Sequence, residues 1–317
     1  MEKHNKLSKA YVLIPLALLC CLLWGSAFPT IKLGYNFFNI GAEDTFSQIF
    51  FAGIRFALAG VLVIAAGSLL SKKLLVPKNK KQFLHIAVLS VFQTILQYIM
   101  FYMGLAHTTG VKSSILVASN VFFSLIISTV VFKMERLTFA KAAGTLLGFA
   151  GVVIINVSAV GAVAGFTIKG EGAMIASAVA YSVSSVLVKK FSDTDNPVML
   201  SGWQFFLGGI VMMLFGKGFG GSISVNSENA AKAVIILVYL AFISAAAYTI
   251  WGILLKHNPV SRVSVIGFMN PVFGVLLSAL FLGETAEAFN LKNLISLVLV
   301  CAGVFIVNRK NEGFRRN

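Results

Sequence analysis

Ten apolar segments occupy most of this 317-residue chain, and only short connections lie between them. The segments are about 16 to 24 residues long, and a helix needs about 20 residues to cross the hydrocarbon core of a bilayer. Lipid offers the backbone no hydrogen-bond partner, and strands of a membrane barrel need only about 9 to 11 residues, so the pattern predicts membrane helices. The segments cover approximately residues 11–33, 48–70, 83–106, 113–132, 139–157, 173–188, 200–215, 233–255, 263–282 and 291–307.

The composition excludes a water-soluble protein. The chain is 58% hydrophobic and 12% charged, whereas soluble domains are about 45 to 50% apolar and about 25% charged. Its three cysteines lie within apolar segments, which excludes a disulfide-stapled scaffold. The net charge of +15 would suit nucleic acid only on a folded soluble face, and no such face is available. We therefore predict an all-α integral membrane protein with the lipid bilayer, and no nucleic acid, as a partner.

The basic residues are distributed unequally between the two sides of the predicted membrane. With ten crossings, nineteen of the 26 Lys and Arg residues lie on the side of the termini, six lie opposite, and Arg55 lies within a segment. Loops rich in Lys and Arg stay in the cytoplasm. The count predicts a multi-pass protein of the cell membrane, plasma or inner, with both termini cytoplasmic.

An internal repeat divides the chain into two five-helix units, residues 1–160 and residues 161–317. Residues 98–120 align without gaps on residues 248–270, at a constant offset of 150. Because five is odd, the second unit is predicted to be inverted relative to the first, an arrangement typical of alternating-access carriers with a binding site between the halves. This window pairs Tyr98 with Tyr248 and Asn120 with Asn270. With small drifts of register, Glu135 meets Glu284, Trp24 falls near Tyr181, and Arg55-Phe56 falls near Gln204-Phe205.

Three motifs give the chain a family resemblance. LWGSAFP covers residues 23–29, RFALAG covers residues 55–60, and NPVF at residues 270–273 is followed by LGE at residues 282–284. In this order and spacing they resemble the ten-helix EamA-type exporters of the drug/metabolite transporter superfamily. The first repeat departs from the pattern, since Asn120 is followed by valine rather than proline. The resemblance implies secondary transport, as an exporter of small metabolites such as amino acids, and supplies no particular substrate.

Arg55 is the one basic residue that the topology does not explain. An arginine at mid-membrane costs about 2.5 to 3.5 kcal/mol on insertion scales, so it is a functional hypothesis by default. Its guanidinium would bind a substrate carboxylate, or Arg55 would instead be a structural residue that donates hydrogen bonds to helix-end carbonyls. Lys32, at the outer end of the first segment, extends to the interface or adds positive charge to an outer vestibule.

Polar and aromatic side chains within the segments are the other substrate-binding candidates. Rings with hydrogen-bonding tips form such walls for an amphipathic substrate, although the same spacing also serves packing. Proline beside the second asparagine favours a discontinuous helix near the cavity. The candidates are Trp24, Gln93, Gln97, Tyr98, Tyr102, Asn120, Tyr181, Tyr248, Trp251 and Asn270.

No catalytic, metal or cofactor constellation is recognisable in the sequence. All eleven acidic residues fall in tails, loops or segment ends, so no carboxylate is predicted at mid-membrane for proton coupling. A membrane enzyme acting on a lipid or isoprenoid substrate stays open as an alternative, with only Glu135 and Glu284 to serve it. A non-transporting assembly partner is the third hypothesis, and the oligomeric state is left open, a monomer included.

Overall fold

The computed structural model describes residues 6–41, 43–105, 107, 116–156, 166–225, 227–282 and 291–308, and these ranges contain helices and no strand. A helix overlaps each predicted segment within the described ranges. The repeat boundary near residue 160, residues 113–115 and Glu284 lie outside them. The helices are α1 (Ala10–Phe37), α2 (Thr45–Ser71), α3 (Lys80–Leu105), α4 (Leu116–Val131), α5 (Phe139–Asn156), α6 (Ile168–Phe191), α7 (Pro197–Gly218), α8 (Ala230–His257), α9 (Val260–Ser264, Val265–Phe268 and Met269–Leu282) and α10 (Leu291–Asn308).

Six of these helices are long and apolar enough to cross a membrane, namely α1, α2, α3, α6, α7 and α8. Three more, α4, α5 and α10, contain shorter apolar stretches. Large apolar side chains such as Leu70, Phe139 and Phe305 are exposed on the outer surface, where lipid would cover them. The structure is that of a helical membrane protein, while ten crossings and the side of the termini stay predictions.

Short polar residues start several helices by capping their free backbone N–H groups. The Asp44 carboxylate accepts from the Ser47 amide at 3.0 Å, and the Asn79 side chain accepts from the Gln82 amide at 2.9 Å. Asn196 caps α7 in the same way, with Pro197 at the first helical position, where the missing N–H costs nothing. These caps fix where the helices begin.

Helix α3 departs from regular α geometry near the centre of the molecule, as do parts of α4, α6 and α9 elsewhere. The middle of α3, Ser90–Leu96, is π-helical, and such segments are frequent at functional sites. Helix α1 stays α-helical although Pro29 lies inside it, and the hydroxyls of Ser26 and Thr30 donate to the Leu23 and Ser26 carbonyls, both at 2.8 Å. Hydroxyl side chains near a proline are one way in which membrane helices tolerate it.

Helices α2 and α7 cross in direct backbone contact. A side chain at Gly60 would place its Cβ 2.4 Å from the Phe206 backbone nitrogen, and one at Gly209 would lie 2.3 Å from the Ala57 nitrogen. Only glycine permits this approach, which is a familiar device for packing membrane helices. The two helices occupy the same position in the two halves.

The main helix pairs of one half have counterparts in the other half. Helix α1 packs on α8 and α9, just as α6 packs on α3 and α4, while α2 pairs with α7 and α5 pairs with α10. A two-fold relation between the halves requires this pattern. The centre of the molecule is therefore where α1, α2 and α3 meet α6, α7 and α8.

Candidate functional site

Aromatic side chains from six helices meet around the Arg55 guanidinium at this centre. We call Arg55 and these rings the central cluster. Most of its members lie within about two turns of the middle of their helices. Its members are Arg55 and Phe56 from α2, Trp24 and Tyr35 from α1, Tyr98 and Tyr102 from α3, Tyr181 from α6, Phe205 from α7, and Tyr248 and Trp251 from α8.

Two pairs of residues related by the repeat touch each other in the central cluster. The Tyr98 and Tyr248 hydroxyls are hydrogen-bonded at 2.6 Å. The Phe56 and Phe205 rings stack with centroids 5.4 Å apart and planes 5° from parallel. In a two-fold arrangement, only residues near the axis can contact their own counterparts. The central cluster thus lies at the junction of the two halves.

Trp24 extends the central cluster toward α8. Its ring meets Tyr248 edge-on with centroids 5.0 Å apart and Trp251 at 5.1 Å. Edge-to-face arrangements of this kind are favourable beyond the area they bury. The indole Nε1 atoms of Trp24 and Trp251 are both buried and have no hydrogen-bond partner. Two donors inside the central cluster are therefore left unused by the protein.

Arg55 is buried, and no counter-ion for it lies in the described ranges. Its residue is 4% exposed, and its guanidinium lies 4.4 Å from the Phe56 ring centroid and 5.9 Å from that of Tyr98. The Nε atom has no hydrogen-bond partner, and no salt bridge involves Arg55 in the part of the chain that the structure describes. Arginine stays protonated in proteins, so an uncompensated positive charge lies at the junction of the halves.

Amide side chains complete the polar groups of the junction. Gln97 lies within hydrogen-bonding reach of the Tyr248 hydroxyl, while its own Oε1 is buried and unpartnered. The Thr94 hydroxyl donates to Gln204 Oε1 at 2.6 Å, which ties α3 to α7. Gln93 is buried on α3 inside the π-helical segment. Residues four apart share one face of an α-helix, but this does not apply to Gln93 and Gln97, because the backbone between them is π-helical.

Three predicted residues lie beside the central cluster or away from it. The Asn120 carbonyl accepts from the Ser182 hydroxyl at 2.8 Å, next to Tyr181. The Oδ1 atom of Asn270, on α9, is buried and has no hydrogen-bond partner. The same helix contacts α1, where Phe273 lies against Gly25. Lys32 is exposed near the end of α1, so it is not part of the central cluster.

Polar contacts on the side of the predicted cytoplasmic loops join the two halves. Glu135, in the loop before α5, accepts from the Ser261 amide at 3.0 Å, from the Ser261 hydroxyl, and from Lys141 Nζ at 2.6 Å. His85 Nδ1 lies 2.6 Å from Asp195 Oδ2. We call these two contacts the loop-side ties. Burial raises the pKa of Glu135, but the hydrogen bonds from Lys141 and Ser261 outweigh it and hold the pKa below its ordinary value.

Several members of the central cluster are not among the predicted site residues. Phe205 and Gln204 carry no signal of their own, but they are the repeat counterparts of Phe56 and Arg55. The repeat alignment could have found them if both members of each pair had been considered. Tyr35 interacts with Tyr102 and Arg55 from the far end of α1, a position that no motif or spacing marks.

A family model spans nearly the whole chain in two copies. The model of the EamA-like transporter family matches residues 12–157 and residues 168–309. The chain belongs to the EamA-like transporter family. This EamA protein is a multi-pass membrane transporter with two EamA repeats, which confirms the resemblance carried by the three motifs. Among the described residues, no three His, Cys, Asp or Glu side chains are placed to hold a metal ion.

Named relatives and a solved structure extend the comparison. The EamA protein is 28% identical to an "Uncharacterized transporter" of Archaeoglobus fulgidus over 96% of this chain and 99% of that one. It is 26% identical to a "Probable terminal-alkyne amino-acid exporter" of Streptantibioticus cattleyicolor, over 98% and 97% of the two chains. It is also 26% identical to a "Probable amino-acid metabolite efflux pump" of Salmonella typhimurium, over 92% and 93%. A solved crystal structure shares the fold, with a TM-score of 0.74, 20% identity, and coverage of 92% of this chain and 95% of that one.

Proposed function

We propose that this EamA protein is a secondary exporter of small amphipathic metabolites, amino acids and related compounds among them, working by alternating access around the central cluster. The observation that carries the proposal is the buried, uncompensated Arg55 among rings contributed by both halves. An uncompensated buried charge is costly in a protein that has no ligand for it. A substrate that supplies the missing partner would remove that cost.

The contacts between the halves support an alternating mechanism. The loop-side ties hold the halves together on the side predicted to be cytoplasmic. In the proposed cycle they are made when the central cluster is open to the opposite face and broken when it opens to the cytoplasm. A substrate would then reach the same binding residues from either side of the membrane, as inverted repeats allow.

The names of two relatives guide the choice of compounds. One is called an amino-acid exporter and another an amino-acid metabolite efflux pump. The central cluster has the composition expected for such molecules, because its rings offer apolar area and its hydroxyl, indole and amide tips offer a few hydrogen bonds.

Transport in proteoliposomes tests the proposal. The purified protein is reconstituted, loaded with one unlabelled compound at a time from a panel of amino acids and their derivatives, and assayed for uptake of the same labelled compound. We expect counterflow above that of empty liposomes for at least one compound, and its loss in Tyr98→Ala. Leu146→Ala, at an exposed position of α5, is the control and should keep it. No counterflow across the panel would refute the proposed function.

A further inference from the structure

We infer that the central cluster binds an organic anion, namely one carboxylate or a similar planar oxyanion on an apolar body that carries no cationic group. This inference rests on the proposed function and narrows its substrate class. It follows from the kinds of polar groups that the protein leaves unpaired and from the charges that face them.

The unpaired groups of the site are mainly donors. Arg55 Nε, Trp24 Nε1 and Trp251 Nε1 are all buried without a partner. The unpartnered acceptors nearby are neutral amide oxygens, Gln97 Oε1 and Asn270 Oδ1. Buried donors without partners each cost a desolvation penalty, which is largest for a charged group. A ligand rich in acceptors, with a negative charge for the guanidinium, satisfies this set.

The packing of Arg55 leaves its Nε atom without a hydrogen-bond acceptor. Its contacts with Phe56 and Tyr98 are made with the rings, at 4.4 and 5.9 Å from the ring centroids. Such contacts favour the cation through the ring quadrupole but accept no hydrogen bond in the guanidinium plane. The planar fork of arginine, of which Nε is one donor, matches two oxygens of a carboxylate. The rings thus hold the cation in place while its buried Nε–H still lacks an acceptor.

Among the described residues, Arg55 is the one cation of the central cluster. Its repeat counterpart is Gln204, a neutral amide whose Oε1 accepts from the Thr94 hydroxyl and whose Nε2 is buried without a partner. The two-fold arrangement therefore offers a single anion position, on the side of α2. This limits the ligand to one strongly bound oxyanion.

A ligand ammonium finds no matching anion in the central cluster among the described residues. The Asp and Glu residues in the described ranges lie in loops or at helix ends, and Glu135 and Asp195, the two in the loop-side ties, are already bonded there. A zwitterion would therefore gain from Arg55 at its carboxylate but lose water around its ammonium without an ionic partner. The charges favour an acid over an amino acid and exclude a cationic amine.

Fluorescence titration tests this with four molecules of matched size. These are 3-phenylpropionate, 3-phenylpropanamide, 3-phenylpropylamine and phenylalanine, which share a ring and a three-carbon chain. The chain has three tryptophans, of which Trp203 is not a member of the central cluster and donates to the Leu75 carbonyl at 2.7 Å. In a Trp203→Phe background, emission reports Trp24 and Trp251 alone, so quenching follows binding at the site.

We expect the acid to bind at least about tenfold more tightly than the amide, since a hydrogen bond to a charged group contributes about 1.5 to 3 kcal/mol. The amine should not bind, and phenylalanine should lie between. Arg55→Gln should weaken the acid by about tenfold to a hundredfold and leave the amide unchanged. Lys78→Gln, at an exposed loop cation, removes the same charge elsewhere and should change neither.

Several results would overturn the inference. One is that the amine or phenylalanine binds at least as tightly as the acid. This comparison needs no variant of Arg55. Another is an equal loss of acid and amide in both Arg55→Gln and Arg55→Lys, which would mean a structural role. Failure of all four to quench, in protein that shows counterflow of other compounds, overturns the anion class and leaves transport standing. Absence of any counterflow instead refutes the proposed function.

Discussion

The hydroxyl pair of Tyr98 and Tyr248 gives the most direct test of the junction between the halves. The two oxygens are 2.6 Å apart, and replacing either tyrosine by phenylalanine removes one hydroxyl while keeping the ring. The structure predicts unequal costs for the two substitutions. The reason is Gln97, which also reaches the Tyr248 hydroxyl and has no such contact with Tyr98.

The magnitudes follow from the groups left unpaired. A hydrogen bond contributes about 1 kcal/mol net, and a buried group without a partner costs about 1 to 3 kcal/mol. Tyr98→Phe leaves Tyr248 bonded to Gln97 and should lower the free energy of unfolding by about 1 kcal/mol. Tyr248→Phe leaves both Tyr98 and Gln97 unpaired and should cost about 2 kcal/mol.

The double variant should cost no more than Tyr248→Phe alone, because the Tyr98 hydroxyl that was left unpaired is gone. The coupling energy of the cycle is then at least about 1 kcal/mol. It is measured by unfolding the protein in mixed micelles with increasing SDS and following the helical circular dichroism. Tyr11→Phe, at a tyrosine that is 69% exposed, is the control and should leave the midpoint unchanged. Costs that simply add, with Tyr98→Phe the larger, would refute the hydrogen bond and its geometry.

Two further predictions concern the loop-side ties and the glycine contact. Since the pKa of Glu135 is lowered from 4.5 by its bonds to Lys141 and Ser261, its stabilising effect is complete above that pH and is lost as the pH falls through the lower folded value. Glu135→Gln should therefore lower the melting temperature at pH 7, and the difference between the two proteins should shrink as the pH falls below 4.5; a difference that stays the same over that range would contradict this. Gly60→Ala should cost about 1 to 3 kcal/mol, because its Cβ would lie 2.4 Å from a backbone atom of α7. Gly218→Ala, with no atom within 4 Å of its Cβ, should not; equal yields of monodisperse protein would show that α2 and α7 are not in contact.

Apolar length predicted the helices well, because crossing a bilayer fixes both the number of residues and the need for internal hydrogen bonds. Predicted ends are short by a few residues, as for residues 200–215 against Pro197–Gly218. Those ends depend on polar caps such as Asn196, which hydropathy does not register. The π-helical turn at Ser90–Leu96 could not be predicted, since its residues are ordinary helix residues.

The candidate site was predictable where the repeat marked it. The offset of 150 paired Tyr98 with Tyr248, and these two hydroxyls are in contact. Spacing alone could not separate residues of the central cluster from residues that only pack, because aromatic residues recur at the same helical spacing in both cases. Tyr35 was missed for that reason. Lys32, on the same helix, was a predicted site residue but is exposed. Contact across six helices depends on tertiary packing, which a single helix does not encode. The binding roles of all these residues stay predictions.

The self-pairing of Tyr98 with Tyr248 and of Phe56 with Phe205 has a consequence for how such a chain can diverge. In a homodimer of one five-helix unit, any residue on the axis meets its own copy, so every substitution there occurs twice. A tyrosine or phenylalanine tolerates that symmetry. An arginine does not, since two guanidinium groups would repel each other in a medium of low polarity. Covalent fusion of the units allows one unit to carry Arg55 where the other carries Gln204, and so gives the junction a charge asymmetry that a symmetric homodimer could not have.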